Sequence, residues 1–168
     1  PSLKKTDIQK LGDDISFGMN GIYLQTEQSG FVPTYYMVQD LWIWHDIGDK
    51  INAYTAPKHR FFPSSVRDNV PNTTNTSFYL KNGGIYAKNL PHYNVPRFSL
   101  DCSRRIFSAP SVTYSAMQMA FYMGFKDVYL IGMDFTYKPP TPDGQKSSNY
   151  FSKDYYQPDE WVDPDMEI

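Results

Sequence analysis

Three short apolar runs in this chain each end on a polar side chain able to hold a ligand. "ISFGMN" closes on Asn20, "YYMVQD" on Asp40 and "VYLIGMD" on Asp134. A fourth stretch, "PSVTYSAMQMAFYMG", places Ser111 and Thr113 at the start of a segment with helical periodicity. Amide and carboxylate groups suit a base and a ribose, while the free N–H groups and positive dipole end of a helix favour phosphate. In an open parallel sheet such groups converge in the crevice outside the carboxyl ends of the strands. Taken singly, each residue is ordinary turn or cap chemistry. Their recurrence at three strand ends and one helix start makes a nucleotide-shaped site the expectation.

Other chemistries find little support. No GxGxxG follows a strand and no GxxxxGK[ST] occurs, so neither a dinucleotide fingerprint nor a P-loop is present. His45, His59 and His92 lack ligand spacing with one another or with Cys102, the single cysteine, which also excludes an internal disulfide. Asp163 and Asp165 form "DPD" in a Pro-broken tail, a poor place for a metal-holding pair, and no metal site is expected.

The elements that must position these groups can be read along the chain. "SLKKTDIQKLGDD" suits a short helix capped by Ser2. Strands are expected at Ile15 to Asn20, Tyr35 to Val38, His59 to Pro63 and Arg104 to Ser108. Helices are expected over "LWIWHDIGDKI" and from Pro110 to Gly124. "DVYLIGMD", almost wholly apolar, reads as a buried central parallel strand. Residues 64–103 are rich in Asn, Pro and Gly and read as an irregular insertion, with a hairpin across "KNGG". Strands alternating with helices indicate an α/β fold with a mostly parallel sheet in a single domain, 1–168.

Composition agrees with a globular domain: 168 residues, 40% hydrophobic and 20% charged. A net charge of −2 argues against a nucleic-acid partner, which calls for a basic face. Aromatics make up 17% of the chain, more than a core requires, and Tyr both stacks on and hydrogen-bonds polar ligands such as sugars. Trp42 and Trp44 suit either core packing or a homo-oligomer contact. No apolar run approaches the ~20 residues of a membrane span, and no signal-peptide pattern opens the chain. A cytoplasmic address is therefore the default, with room for peripheral membrane association. The sequons at Asn72 and Asn75 then read as polar loop.

The order "GMNGIY", "YYMVQD", "SVTYSAMQMAFYMGFKDVYLIGMDFTY" and a "NYF…DYY" tail resembles the 6-hydroxymethylpterin diphosphokinase-like family. It is similar as well to the related family 42 bacterial sialyltransferases. The opening "PSL" looks like the end of a "GNGPSL" motif, so a fragment lacking its first strand and Gly-rich loop is expected. The resemblance implies a modified Rossmann-like, three-layer α/β/α fold. It also implies sugar transfer from a nucleotide-activated donor, CMP-linked in those relatives, to a glycan acceptor by metal-independent inverting displacement.

On that resemblance Asn20, Asp40 and Ser111 contact the nucleotide or donor, and Tyr137 stabilises the leaving phosphate. Thr113 at the helix start, Asp134 at its strand end, where it also shapes the turn, and Tyr150 in the tail complete the candidate donor-binding set. The relatives carry a tail His as general base. This chain has Tyr150 and Phe151 there and no His beyond His92, so either the base lies beyond Ile168 or another group such as Asp154 takes its place. No cofactor beyond the donor is implied. Two alternatives stay open: an ATP-dependent pterin diphosphokinase-like transferase with Mg²⁺ between Asp40 and Asp134, and a nucleotide- or glycan-binding module without catalysis.

Overall fold

The computed structural model describes residues 7–133. A 3-10 turn, Ile8–Leu11, precedes β1 (Phe17–Met19), α1 (Tyr23–Ser29), β2 (Tyr35–Met37), α2 (Leu41–Ala53) and β3 (His59–Pro63). There follow β4 (Thr76–Tyr79), β5 (Lys81–Asn82), β6 (Ile106–Phe107) and α3 (Val112–Tyr122). Strands β1 to β4 form one parallel sheet in chain order, and β5 pairs with β6, again in parallel. The fold is thus α/β with a four-stranded parallel sheet.

Strand parity divides the core. Tyr36, Val38 and Phe62 cluster with Ile22, Tyr23 and Leu24, with Trp44, Ile51 and Tyr54, and with Val66 and Val70. Met37 and Tyr79 instead cluster with Ile106, Ala116 and Met119, with Phe17, Met19 and Phe61 packed against them. Successive strand residues point to opposite faces, so a strand whose two faces are both covered must be apolar throughout. Tyr36, Met37 and Val38 meet that demand and are fully buried. Gly18 in β1 is required by close approach, because a Cβ there would lie 2.6 Å from Cγ of Pro33 and 2.8 Å from Cγ2 of Ile22.

A charge sits inside this sheet. Arg60 of β3 is fully buried. Its Nε donates to Thr76 Oγ1 at 3.1 Å, Nη1 to the Asn52 carbonyl at 3.3 Å, and Nη2 to the Asn72 carbonyl at 2.7 Å. Among the described residues it has no carboxylate partner. The carbonyl end of α2, the negative end of the helix dipole, offsets its charge, and the guanidinium lies 5.4 Å from the Phe62 ring centre. Trp44 packs edge-on against the same ring at 4.8 Å, whereas Trp42 is exposed.

Two expectations are corrected. Residues 64–103 are largely irregular but not throughout, and "KNGG" is not a hairpin turn. They supply β4 to the main sheet and β5 to β6, and "KNGG" turns into a 3-10 segment, Gly84–Tyr86, with Asn82 Oδ1 accepting from the Gly84 N–H at 2.9 Å. The run "DVYLIGM" forms no strand among the described residues: Val128, Tyr129, Leu130 and Ile131 are exposed, Tyr129 at 88%. An apolar run becomes a strand only where a neighbouring backbone takes its N–H and C=O groups. Here β1 pairs only with β2 among the described residues, and the run contributes Val128 and Leu130 to an apolar slot of about 50 Å³ beside Phe17 and Met19.

Replacing the buried guanidinium by Arg60→Met keeps the bulk but strips several carbonyls of their donor. It should cost about 3 kcal/mol in urea denaturation, at ~1–3 kcal/mol per buried group left unpaired. A second expectation concerns His59, at the start of β3, which shares a 2.9 Å hydrogen bond with Ser77 Oγ. Partial burial, and secondarily Arg60, holds its pKa below the ordinary 6.5. As pH falls the unfolded chain therefore binds this proton first. The stability from His59 is complete above about pH 6.5 and lost as pH drops through the lower folded value. His59→Gln should flatten the loss of melting temperature between pH 7 and 5; an unchanged slope would remove His59 as its source.

Candidate functional site

Polar strand ends of an open parallel sheet collect at one edge, and β1 and β2 place two of theirs there side by side. Met19 pairs with Met37, so Asn20 stands next to the end of β2 and Asp40 lies just beyond it. The N-terminus of α3 reaches the same edge through Gln39. Gln39 is buried, its Nε2 donates to the Ala109 carbonyl at 3.1 Å, and its Oε1 accepts from the Ser115 hydroxyl. Its own carbonyl accepts from Lys81 Nζ at 3.4 Å, bringing β5 to the cluster.

Asn20 is the most unusual residue in the group. Its φ is +50°, a left-handed conformation that Asn tolerates better than most side chains. Its carbonyl accepts from the Tyr36 hydroxyl at 2.6 Å, while its Oδ1 is buried without a hydrogen-bond partner among the described residues. A buried, unpaired amide oxygen is costly unless something else supplies a donor.

Asp40 and Ser111 have local duties. Asp40 caps α2, with Oδ1 accepting from the Trp42 N–H at 2.8 Å, and Ser111 caps α3, with Oγ accepting from the Thr113 N–H at 3.2 Å. Both residues are exposed, so each remains open to a ligand. Thr113 is buried and turns inward, its hydroxyl donating to Met133 Sδ at 3.5 Å, which makes it a packing residue. Asp40 also acts on its neighbours. Burial lowers the pKa of the Lys81 ammonium while Asp40 raises it, and both burial and Asp40 raise the Tyr86 phenol.

Asp134, Tyr137, Tyr150 and Asp154 lie outside the described residues. Of the eight proposed positions, the structure therefore places four, and brings Asn20, Asp40 and Ser111 to one edge of the sheet. Gln39 and Lys81 were missed by sequence reading. Gln39 had a signal, as a polar residue inside an apolar strand run; Lys81 had none, being one lysine in a Gly- and Asn-rich stretch.

Other reactive groups lie elsewhere. Burial pushes the Cys102 thiol up to about 11, so it is no nucleophile at neutral pH. His59 sits at the amino end of β3, away from the strand ends that carry Asn20 and Asp40, and His45 pairs with Asp46 at 2.9 Å on the surface. No group of three or more His, Cys, Asp or Glu side chains able to hold a metal exists among the described residues, and none of their helices is long and apolar enough to cross a membrane. The chain matches no family model, no curated protein and no solved structure.

The Gln39 bridge carries a prediction. Gln39→Leu preserves volume but leaves the Ala109 carbonyl and the Ser115 hydroxyl unpaired in a buried place. The loss should be about 2 kcal/mol in chemical denaturation, against about 1 kcal/mol for removal of the exposed cap by Ser111→Ala. Equal losses would contradict the ranking.

Proposed function

We propose that this chain is the donor-binding α/β unit of a sialyltransferase-like glycosyltransferase with a modified Rossmann-like, three-layer α/β/α arrangement. It takes a sugar from a nucleotide-activated donor, CMP-linked in the preferred reading, and passes it to a glycan acceptor. The observation that carries the proposal is the meeting of Asn20, Asp40 and the capped N-terminus of α3 at the carboxyl edge of the parallel sheet. Crevices of this kind receive ligands, and Oδ1 of Asn20, buried with no partner among the described residues, is an acceptor for a base or sugar donor.

In the proposed reaction an acceptor hydroxyl attacks the anomeric carbon as the bond to the nucleotide phosphate breaks. The departing phosphate keeps the electron pair, and inversion follows from attack on the opposite face. The N-terminal dipole of α3 and the Ser111 hydroxyl would receive the phosphate. Tyr137 would donate a phenolic hydrogen bond to the leaving group, and Asp154 would take the acceptor proton, a role that requires a pKa near the working pH.

The test is thermal stabilisation by CMP with and without Mg²⁺. At a tenfold excess over Kd, CMP should stabilise the protein by about 1.4 kcal/mol without metal. Asn20→Gly is the informative variant, because glycine adopts φ of +50° freely and only the side chain is lost. It should melt no lower than the parent protein, yet lose the CMP response. A response to ATP confined to Mg²⁺-containing buffer would replace this reading with a diphosphokinase-like one. Full CMP binding by the Asn20→Gly protein would remove Asn20 from the site.

A further inference from the structure

A second cavity, of about 130 Å³, opens beyond the ends of β5 and β6 and uses none of the residues of the nucleotide reading. Asn82, the last residue of β5, and Phe107 and Ser108, at the end of β6, line it. Its rim comes from the segment after β5, which contributes His92 and Arg97. Among the described residues no acidic side chain lines it.

The polar atoms here are unspent. Ser108 is 2% exposed, and its hydroxyl has no hydrogen-bond partner among the described residues, an expensive condition for a buried group unless a ligand or water completes it. Asn82 uses Oδ1 for the Gly84 N–H, leaving the amide nitrogen's two hydrogens for another acceptor. Arg97 forms no ion pair among the described residues; its guanidinium lies 4.6 Å from the centre of the Phe107 ring, which orients the fork without using its N–H donors. Ser108, Asn82, Arg97 and His92 thus line one small space together, each with hydrogen-bonding capacity not taken up among the described residues.

We infer that this cavity is a binding site for a small oxyanion group, a carboxylate or a phosphate, gripped by Arg97 with Asn82 and Ser108 as neutral donors. Size limits the ligand to that group and a few attached atoms. At ~30 Å³ per water the cavity holds about four waters, well short of the ~300 Å³ or more of a pocket that encloses a whole drug-sized molecule. A planar guanidinium fork matches carboxylate and phosphate oxygens in pairs, whereas a neutral sugar offers it nothing comparable. The inference stands on residues separate from Asn20, Asp40 and Ser111 and does not depend on the nucleotide proposal.

The experiment is a set of calorimetric titrations of the full chain with inorganic phosphate, glucuronate and glucose at constant ionic strength. Saturable binding of phosphate or glucuronate, with none for glucose, is the expected result. Phosphate alone would point to a phosphate ester as ligand and glucuronate alone to an acidic sugar, and either supports the site. Arg97→Gln, an exposed position, should keep the melting temperature and weaken binding at least tenfold. Ser108→Ala should weaken it severalfold without lowering the melting temperature, since the hydroxyl it removes has no partner among the described residues. Retained affinity in Arg97→Gln, glucose binding as well as glucuronate, or no saturable binding of either anion would overturn the inference.

Discussion

A positive charge held inside the sheet by main-chain carbonyls and a threonine hydroxyl organises this fold. Burying a guanidinium is tolerable only when its N–H groups find acceptors and its charge finds an opposing field. Arg60 meets both needs with main-chain carbonyls at the end of α2, the Asn72 carbonyl and Thr76 Oγ1. Those acceptors come from the helix before β3 and from the loop and strand after it. One side chain thereby ties α2, β3 and β4 together in the order in which the chain lays them down. Because α2 begins at Asp40, anchoring its far end also limits where that cap can lie.

Two buried glutamines do comparable work on the α3 side. Gln118 Oε1 accepts from the N–H groups of Ser99 and Phe107, and its Nε2 donates to the Phe107 and Tyr114 carbonyls. It holds β6 and the preceding loop against the helix. Gln39 holds the end of β2 against the start of the same helix. Amides can do this because each offers both donors and acceptors and carries no charge to desolvate. The consequence for function is positional: strand ends and helix start share one edge because neutral amides bridge them, so the ligand-facing groups are not themselves needed to hold the edge together.

Much of the fold was legible in the residues. Strand β3 spans the residues expected of it, and β1, β2, β6, α2 and α3 fall within a few residues of their expected places, because apolar periodicity and cap chemistry act locally. The stretch 64–103 was misread for a physical reason. Its strands are two and four residues long, flanked by Asn and Gly, and form parallel ladders whose partners lie some 15 to 25 residues away in the chain. No local pattern announces such a pairing. The run at Val128 to Ile131 shows the reverse, with strong strand composition and no ladder among the described residues.

For the site, composition and order alone singled out Asn20, Asp40 and Ser111, since an amide, an acid and a hydroxyl at element ends are legible as types. Tertiary structure decided which of them are occupied and which are free. It turned Thr113 inward and left Asn20 in a left-handed conformation with a buried oxygen that has no partner among the described residues. It also gathered Ser108, Asn82 and Arg97, which no spacing connects, around one small cavity. A sequence specifies which groups can bond. Whether a given group's bonding capacity is spent depends on neighbours brought in from distant parts of the chain, and only the packed structure supplies those.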